Sequence, residues 1–179
     1  MAEQPPQSES RLRKYSSILL NLGLLIIMFF AVTAFQSRNL LPTDRQPAPA
    51  LQAATLQGRT YDLEATPARP VLIYFFAPWC NYCAASSGNL VRLRRWRRES
   101  DLEIVAVALD WQDFEEVSAY ADRHDLNMPV VLGDTQVARN WQVYAFPTYY
   151  VLDSQHRVVR RDLGYSTQAG LWWRSRAVD

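Results

Sequence analysis

The chain has 179 residues, of which 49% are hydrophobic and 21% charged, and it carries a formal net charge of +1. This composition suffices for one globular domain with an appendage, and the near-neutral charge gives no general attraction to nucleic acids. Only two cysteines are present, both in one motif, so a scaffold held together by several disulfides is excluded.

The N-terminal part of the chain has the pattern of a membrane anchor. Residues 1–10 are polar and are predicted to be disordered. Three basic residues then precede residues 18–35, an apolar run that would form a helix about 27 Å long, close to the hydrocarbon thickness of a bilayer. We therefore expect a cytoplasmic tail over residues 1–16, a transmembrane helix over residues 17–35 and export of everything after it, because basic residues favour the cytoplasmic side.

Two other interpretations of the apolar run are open. Residues 32–34, Val-Thr-Ala, resemble the small-residue site at which a signal peptide is cleaved, although the run is longer than the usual signal core. The second interpretation is a helix buried in the core of a soluble domain, and the lack of a polar face along the run argues against it. The anchor and the signal peptide both place the following domain outside the cytoplasm.

A linker and a hairpin follow the apolar run. Residues 36–50 contain three prolines among polar residues and are predicted to be an extended linker without a fixed shape. The folded domain is predicted to cover residues 51–179. It begins with a hairpin over residues 51–63, in which a Gln-Gly pair supplies the turn between two short alternating runs.

A central strand is predicted at residues 71–76, Val-Leu-Ile-Tyr-Phe-Phe. The run is apolar without alternation, rich in β-branched and aromatic types and too short for a helix, which is typical of a parallel strand buried on both faces. Ala77-Pro78 ends it, and apolar residues then recur at helical spacing from about 81 to 98. Cys80 and Cys83 therefore fall in the first turn of the helix that follows the strand.

The rest of the domain alternates between strands and helices before a final hairpin. Asp113, with Glu116 three residues later, has the pattern of a capping box. The predicted elements are a strand at 102–109, a helix at 113–124, a strand at 129–132, a helix at 135–141, strands at 148–152 and 157–163 joined by a turn at 153–156, and a helix at 167–176. This order predicts an α/β domain with a mixed central sheet and helices on both faces.

The two cysteines carry the predicted chemistry. Unpaired N–H groups and the dipole at a helix N-terminus stabilise a thiolate, so Cys80 is the predicted nucleophile, with a depressed pKa. Cys83 lies three residues further on, close to the same helix face. It is predicted to be more buried and to act as the resolving thiol that releases a mixed disulfide.

Three other roles are open to the cysteine pair. Zinc needs four ligands, and the only other cysteine or histidine side chains, His124 and His156, are not closely paired. A structural disulfide at this spacing closes too small a loop to stabilise the fold. Binding of Cu(I) by two soft thiolates is the alternative to redox chemistry. We expect no cofactor and no metal site.

Three parts of the sequence resemble a known family: Phe-Ala-Pro-Trp-Cys-Asn-Tyr-Cys at 76–83, Phe-Pro-Thr-Tyr-Tyr-Val-Leu-Asp at 146–153, and Gly164. They are similar to the membrane-anchored, extracytoplasmic thioredoxin-like proteins of the TlpA and ResA type, including the bacterial suppressor-of-copper-sensitivity thioredoxins. The resemblance covers roughly residues 48–175. It implies a thioredoxin fold with an N-terminal hairpin extension and disulfide exchange with protein substrates.

The resemblance also implies roles for residues around the cysteine pair. Pro147 is expected to be cis and to lie against the Cys-x-x-Cys, with Phe146 and Thr148 beside it in the substrate-binding surface. Phe146 would offer its backbone to a substrate strand. Trp79, immediately before the nucleophile, is interpreted as substrate-binding surface, with closure of the core as the alternative.

Several positions differ from those of relatives. Asn81 and Tyr82, between the thiols, are assigned to redox tuning, and they lack the histidine of strongly oxidising relatives, which favours a reductant. Tyr74 stands where soluble thioredoxins have a buried acid, and Ser86 stands where ResA-type proteins have a glutamate. The proton acceptor for the second thiol is therefore unassigned, with water or Asp110 as candidates.

Five arginines between positions 92 and 98 lie at the end of the helix that carries the cysteines. They are interpreted as a solvated face that suits the helix dipole, or else as a docking surface for an acidic partner or lipid headgroups. The sequence as a whole predicts a single-pass protein of the bacterial inner membrane with its catalytic domain in the periplasm. It would exchange disulfides with protein substrates, lean toward reducing them, work with a membrane redox partner and bind no nucleic acid. A copper-binding or copper-protecting protein without turnover is the alternative.

Overall fold

In the computed structural model, the described residues are 7–176 and 178. Within the first helix the description includes the side chains of residues 15, 17–28, 31 and 32. The chain divides into two units, residues 1–38 and residues 39–179. The predicted cytoplasmic tail therefore lies partly outside the described residues, since these begin at position 7.

The first unit contains one long helix, α1, over Gln7–Gln36, and a short 3₁₀ turn follows at Ser37–Asn39. The helix extends beyond the apolar run on its N-terminal side, so the prediction of disorder is wrong for residues 7–10. Once a helix has nucleated, each further residue adds a hydrogen bond at little cost, which favours this extension. Within the described part of the chain, no helix has the combination of length and apolar character that a bilayer span requires.

The first strands of the second unit form the predicted hairpin. Strands β1, Gln52–Ala54, and β2, Thr60–Asp62, pair antiparallel, and Gly58 in the turn between them has a φ of 72°. That left-handed conformation is one that glycine adopts at little cost. The backbone N–H of Leu56 donates to the carbonyl of Val130 at 2.9 Å, which ties the hairpin to the main sheet.

The main sheet has five strands in the order β5-β4-β3-β6-β7. Strands β3, β4 and β5 are parallel to one another, and β6 pairs antiparallel with both β3 and β7. The mixed sheet predicted from the sequence is therefore confirmed. Their bounds are Val71–Phe76 for β3, Glu103–Ala108 for β4, Val130–Leu132 for β5, Thr148–Leu152 for β6 and Val158–Leu163 for β7.

Four helices complete the described part of this unit, and the predicted helices agree with them to within two residues at either end. Their bounds are Asn81–Trp96 for α2, Phe114–Arg123 for α3, Thr135–Asn140 for α4 and Gln168–Arg174 for α5. The side chain of Asp113 caps α3 by accepting from the N–H of Glu116 at 2.8 Å. The carboxylate of Glu116 accepts from the N–H of Gln112 at 2.9 Å, one residue before the position that a capping box predicts.

The core lies on both faces of the central strand, as the unalternating apolar run predicts. All six residues of β3 are buried. Its even-numbered residues pack in a cluster with α2, α3 and α5, and its odd-numbered residues pack in a second cluster with the hairpin, Trp141 and residues 40 and 41. The cysteine pair lies in the first cluster.

The predicted linker over residues 36–50 is wrong from Leu40 onward. Leu40 and Leu41 are only 2% and 9% exposed, and Arg161 of β7 donates to both of their carbonyls at 2.7 Å. Further along, the N–H of Ala48 donates to the carbonyl of His156 at 2.9 Å. An edge strand presents unpaired backbone groups, and this segment satisfies some of them while it buries its leucines. The folded domain therefore begins near residue 40.

The turn between β6 and β7 is organised by one buried acid. Asp153 is 1% exposed, and its carboxylate accepts from the backbone N–H groups of Gln155 and Arg157 at 3.0 and 2.9 Å. It also forms ion pairs with Arg157 and Arg45. Burial alone would raise the pKa of Asp153, but the hydrogen bonds from Arg157 and Gln155 outweigh burial and hold the pKa below its ordinary value.

Candidate functional site

The site begins where the central strand ends. After β3, residues 77–79 turn the chain, and the N–H of Cys80 donates to the carbonyl of Ala77 at 3.0 Å. Cys80 is the N-cap residue of α2, with an extended backbone, and its Sγ accepts from the N–H of Cys83 at 3.1 Å. A helix N-terminus directed at this sulfur favours its negative charge, so the geometry agrees with the role predicted for Cys80.

The two cysteines are joined in a disulfide. Cys80 retains a small exposed surface, 6% of the residue, whereas Cys83 is 0% exposed. A substrate sulfur approaching from solvent can therefore reach Cys80 and not Cys83. This difference in access is the one that a nucleophile and a resolving thiol require, while the two roles themselves stay predictions.

A cleft of about 600 Å³ opens in front of Cys80. Its lining comes from the turn before α2, the first turn of α2 and two loops at the same end of the sheet, and consists of Trp79, Cys80, Asn81, Tyr82, Asp110, Tyr144, Ala145 and Phe146. A second cleft of about 610 Å³ shares Asp110, Tyr144 and Phe146 with it and extends along α4. Together the two clefts provide a mostly apolar surface on one side of the nucleophile.

Trp79 and Phe146 form one wall of the first cleft. Their rings meet edge to face, with centroids 5.9 Å apart, and the indole Nε1 donates to the carbonyl of Asp110 at 3.1 Å. Trp79 is 59% exposed, so it is a surface residue, and the alternative that it closes the core is wrong. The two tuning residues, Asn81 and Tyr82, are exposed on the same cleft.

The Phe146–Pro147 bond is cis, as expected, while the role of Pro147 in substrate binding stays a prediction. The ladder of β6 begins at Thr148, so Phe146 lies two residues before the paired part of the strand. Thr148 is completely buried, and its hydroxyl donates to the carbonyl of Ala145 at 2.7 Å. Its side chain thus supports the loop that carries Phe146 and does not line the cleft.

Beneath the cysteine pair lie three buried hydroxyl groups that the sequence did not single out as a cluster. The hydroxyls of Tyr74 and Ser87 both donate to the carbonyl of Cys83 at 3.0 Å, and Ser87 is 2.9 Å from the hydroxyl of Tyr120. Burial raises the pKa values of both tyrosines above their ordinary range. Tyr74 therefore stays protonated near neutral pH, so it acts as a donor and not as an acceptor for the Cys83 proton.

The remaining candidate residues are Asp110 and His124. Asp110 lines the cleft beside Cys80, while Cys83 does not line it. The ring of His124 packs against that of Tyr120 at a tilt of 53°, with centroids 4.5 Å apart, and burial followed by the charge of Arg123 lowers the pKa of His124. Among the described residues, no group of three or more His, Cys, Asp or Glu side chains is placed to hold a metal ion.

The comparisons with known proteins agree with this geometry. The model of the AhpC/TSA family matches residues 45–161. The thioredoxin-like protein YneN of Bacillus subtilis is 27% identical over 141 residues, which cover 74% of this chain and 82% of that protein. The thiol-disulfide oxidoreductase ResA of Bacillus cereus is 25% identical over 125 residues, which cover 69% of this chain and 72% of that protein.

A solved structure gives the same result for the fold. A thiol:disulfide interchange protein of the thioredoxin family from Chlorobium tepidum superposes with a TM-score of 0.67 at 19% sequence identity, over 77% of this chain and 99% of that chain. The thioredoxin-like α/β fold predicted from the sequence is therefore confirmed.

Proposed function

Because the chain belongs to the AhpC/TSA family and is a thiol–disulfide oxidoreductase, we propose that it exchanges disulfides with protein substrates outside the cytoplasm, from a single-pass membrane anchor. The observation that carries the proposal is the disulfide between a partly accessible Cys80 at a helix N-terminus and a buried Cys83.

The exchange needs no redox group beyond the two thiols, and it needs an acceptor for the Cys83 proton, for which water and Asp110 are the candidates. In the reducing direction, the Cys80 thiolate attacks one sulfur of a substrate disulfide, and the other substrate sulfur leaves as a thiolate. Cys83, once deprotonated, then attacks the Sγ of Cys80, which forms the Cys80–Cys83 disulfide and releases the second substrate thiolate. Two electrons pass to the substrate, and the disulfide state seen here is the oxidised product of that cycle.

Protein substrates are favoured by the surface around Cys80. Trp79, Tyr82 and Phe146 supply aromatic area on the cleft, and the second cleft extends this apolar area beyond the reach of a small thiol. Phe146 precedes the paired part of β6, so its backbone is suited to pair with an extended substrate segment.

The reducing direction is proposed from the residues between the cysteines. Neither Asn81 nor Tyr82 can carry the positive charge that a histidine supplies, and such a charge stabilises the reduced thiolate of strong oxidants. A reductant becomes oxidised in each cycle and must be reduced again. For an anchored protein, a membrane redox partner is the natural electron source.

The extracytoplasmic location is proposed from the N-terminal sequence. Residues 18–35 are apolar and follow a basic segment. The apolar side chains described along α1 agree with contact to lipid, since Leu19 is 68% and Ile27 66% exposed.

The activity is tested by reduction of insulin. The full chain, supplied with dithiothreitol, is expected to precipitate insulin faster than dithiothreitol alone, and Cys80→Ser is expected to return the rate to background. Metal content is measured on the same preparation. Stoichiometric copper without insulin reduction would overturn the oxidoreductase proposal in favour of Cu(I) binding.

The location is tested by reporters fused directly after Asn39, because a fusion after residue 50 would keep residues 40–50 without the strand β7 on which they pack. A reporter that works only outside the cytoplasm is expected to be active, and one that works only inside is expected to be silent. The reverse pattern would contradict the proposed orientation without affecting the proposed chemistry.

A further inference from the structure

One surface combines exposed tryptophans with arginines, and none of its residues lines the cleft in front of Cys80. We define the Arg/Trp surface as Arg160 and Arg161 of β7 with Trp172, Trp173, Arg174 and Arg176 of α5 and the residues after it. Trp173 is 70% and Trp172 36% exposed, and the guanidinium of Arg176 lies 4.2 Å from the ring centroid of Trp172. Neither the fold nor the exchange reaction requires two exposed indoles here.

The surface carries an excess of positive charge. Its neighbouring acid, Asp162, is already paired with Arg174 at 2.9 Å and accepts from the hydroxyl of Ser166. Among the described side chains, neither Arg160 nor Arg176 forms an ion pair. The Nε of Arg160 is also buried, and it has no hydrogen-bond partner among the described residues. A complementary partner is therefore anionic.

The surface lies next to the first residues of the folded domain. A depression of about 360 Å³ is lined by Thr43 together with Val159, Arg160, Arg161, Trp173 and Arg174. Arg161 also holds the carbonyls of Leu40 and Leu41. Since α1 ends at Gln36, only four peptide steps separate it from Leu40, a span of at most ~14 Å.

We propose that the Arg/Trp surface binds the headgroups of anionic lipids. Arginine forms bidentate hydrogen bonds with phosphate, and tryptophan prefers the boundary between hydrocarbon and water, so the combination suits a lipid surface better than a purely acidic protein. The short connection to α1 keeps this surface at a high local lipid concentration, and in this respect the inference rests on the proposed membrane anchor.

The test uses the full chain in lipid nanodiscs made of phosphatidylcholine, with or without phosphatidylglycerol. Hydrogen exchange of the amides in α5, residues 168–174, is expected to be roughly tenfold slower in the anionic discs. The reason is that the free energy by which an anionic membrane attracts one arginine is comparable to the free energy that corresponds to a tenfold change in an equilibrium constant. The variant Arg160→Gln/Trp173→Ala/Arg176→Gln is expected to lose this difference.

A control elsewhere on the domain is Phe114→Ala/Arg123→Gln on α3, which removes one exposed aromatic ring and one exposed arginine. It is expected to retain the difference between the discs. Equal hydrogen exchange of wild-type α5 in both kinds of disc would overturn the proposal. So would a control variant that loses the difference between the discs as completely as the triple variant does. If polyglutamate slows the exchange of α5 and phosphatidylglycerol does not, the proposal of a lipid is overturned and the partner of this surface is an acidic protein.

Insulin reduction is measured on every variant. Activity equal to wild type in the triple variant shows that its fold is intact, so that its exchange result counts. A chain that enters neither type of disc would overturn the anchor, and with it this inference, while insulin reduction would show that the exchange chemistry stands.

Discussion

Replacing Cys83 with alanine is expected to leave the enzyme covalently attached to its substrate. Cys80 keeps its position at the N-terminus of α2 and still attacks a substrate disulfide, but no second thiol is present to resolve the mixed disulfide. Steady-state insulin reduction is expected to fall by at least about 100-fold, which corresponds to about 2.7 kcal/mol of activation free energy. Non-reducing gel electrophoresis should show the trapped complexes, and a reducing agent should separate them by cleaving the mixed disulfide.

The matched control is Cys80→Ala, which keeps Cys83 in its buried position. It is expected to trap no substrate, because a sulfur without exposed surface is out of reach. Complexes that form with Cys80→Ala and not with Cys83→Ala would reverse the assignment of the two thiols. Mass spectrometry of the trapped partners also identifies the substrate, so a lack of complexes with both variants would count against a protein substrate.

Replacing Trp141 with alanine is expected to lower the free energy of unfolding by about 4 kcal/mol. Trp141 is 0% exposed and packs against Phe75 and Tyr150, with ring centroids 5.5 and 5.6 Å away. Its removal leaves a cavity between β3, β6 and the segment that begins at Leu40. A domain of this size is stabilised by only about 5–15 kcal/mol in total, so the loss is severe.

The comparison for Trp141 is Trp96→Ala, the same substitution at a residue that is 68% exposed. Because Trp96 loses little contact area, its free energy of unfolding is expected to stay within about 0.5 kcal/mol of wild type. Urea unfolding followed by circular dichroism measures both variants. Equal losses at the two positions would show that burial of Trp141 is not what stabilises this side of the sheet.

The elements of the domain were predictable because each has a local signal. Residues 71–76 form an apolar run without alternation, and a strand buried on both faces is the only short element that suits such a run. Asp113 caps α3, and a Gln-Gly pair turns the first hairpin, as their side chains and backbone preferences favour. The cysteine pair could be placed at a helix N-terminus for the same reason, since an apolar run without alternation precedes it and a helical period follows it.

The surroundings of the cysteines were not predictable from local signals. Tyr74, Ser87 and Tyr120 come from a strand and two helices, and each alone is ordinary for its element. Only the packing of α2 and α3 on one face of β3 brings their hydroxyls together under Cys83. In the same way, Trp79 and Phe146 become one wall of a cleft because β3 and β6 are neighbours in the sheet.

The sequence by itself therefore determined the strands, the helices and the reactive pair, because hydrophobic period, capping and turn chemistry act over a few residues. Only the tertiary structure decided that residues 40–50 belong to the folded domain. They have the composition of a linker but pack along β7. Their two leucines gain burial and their backbone gains partners only once an edge strand stands beside them. A contact of that kind depends on the faces that two distant segments present to each other, and composition does not record it.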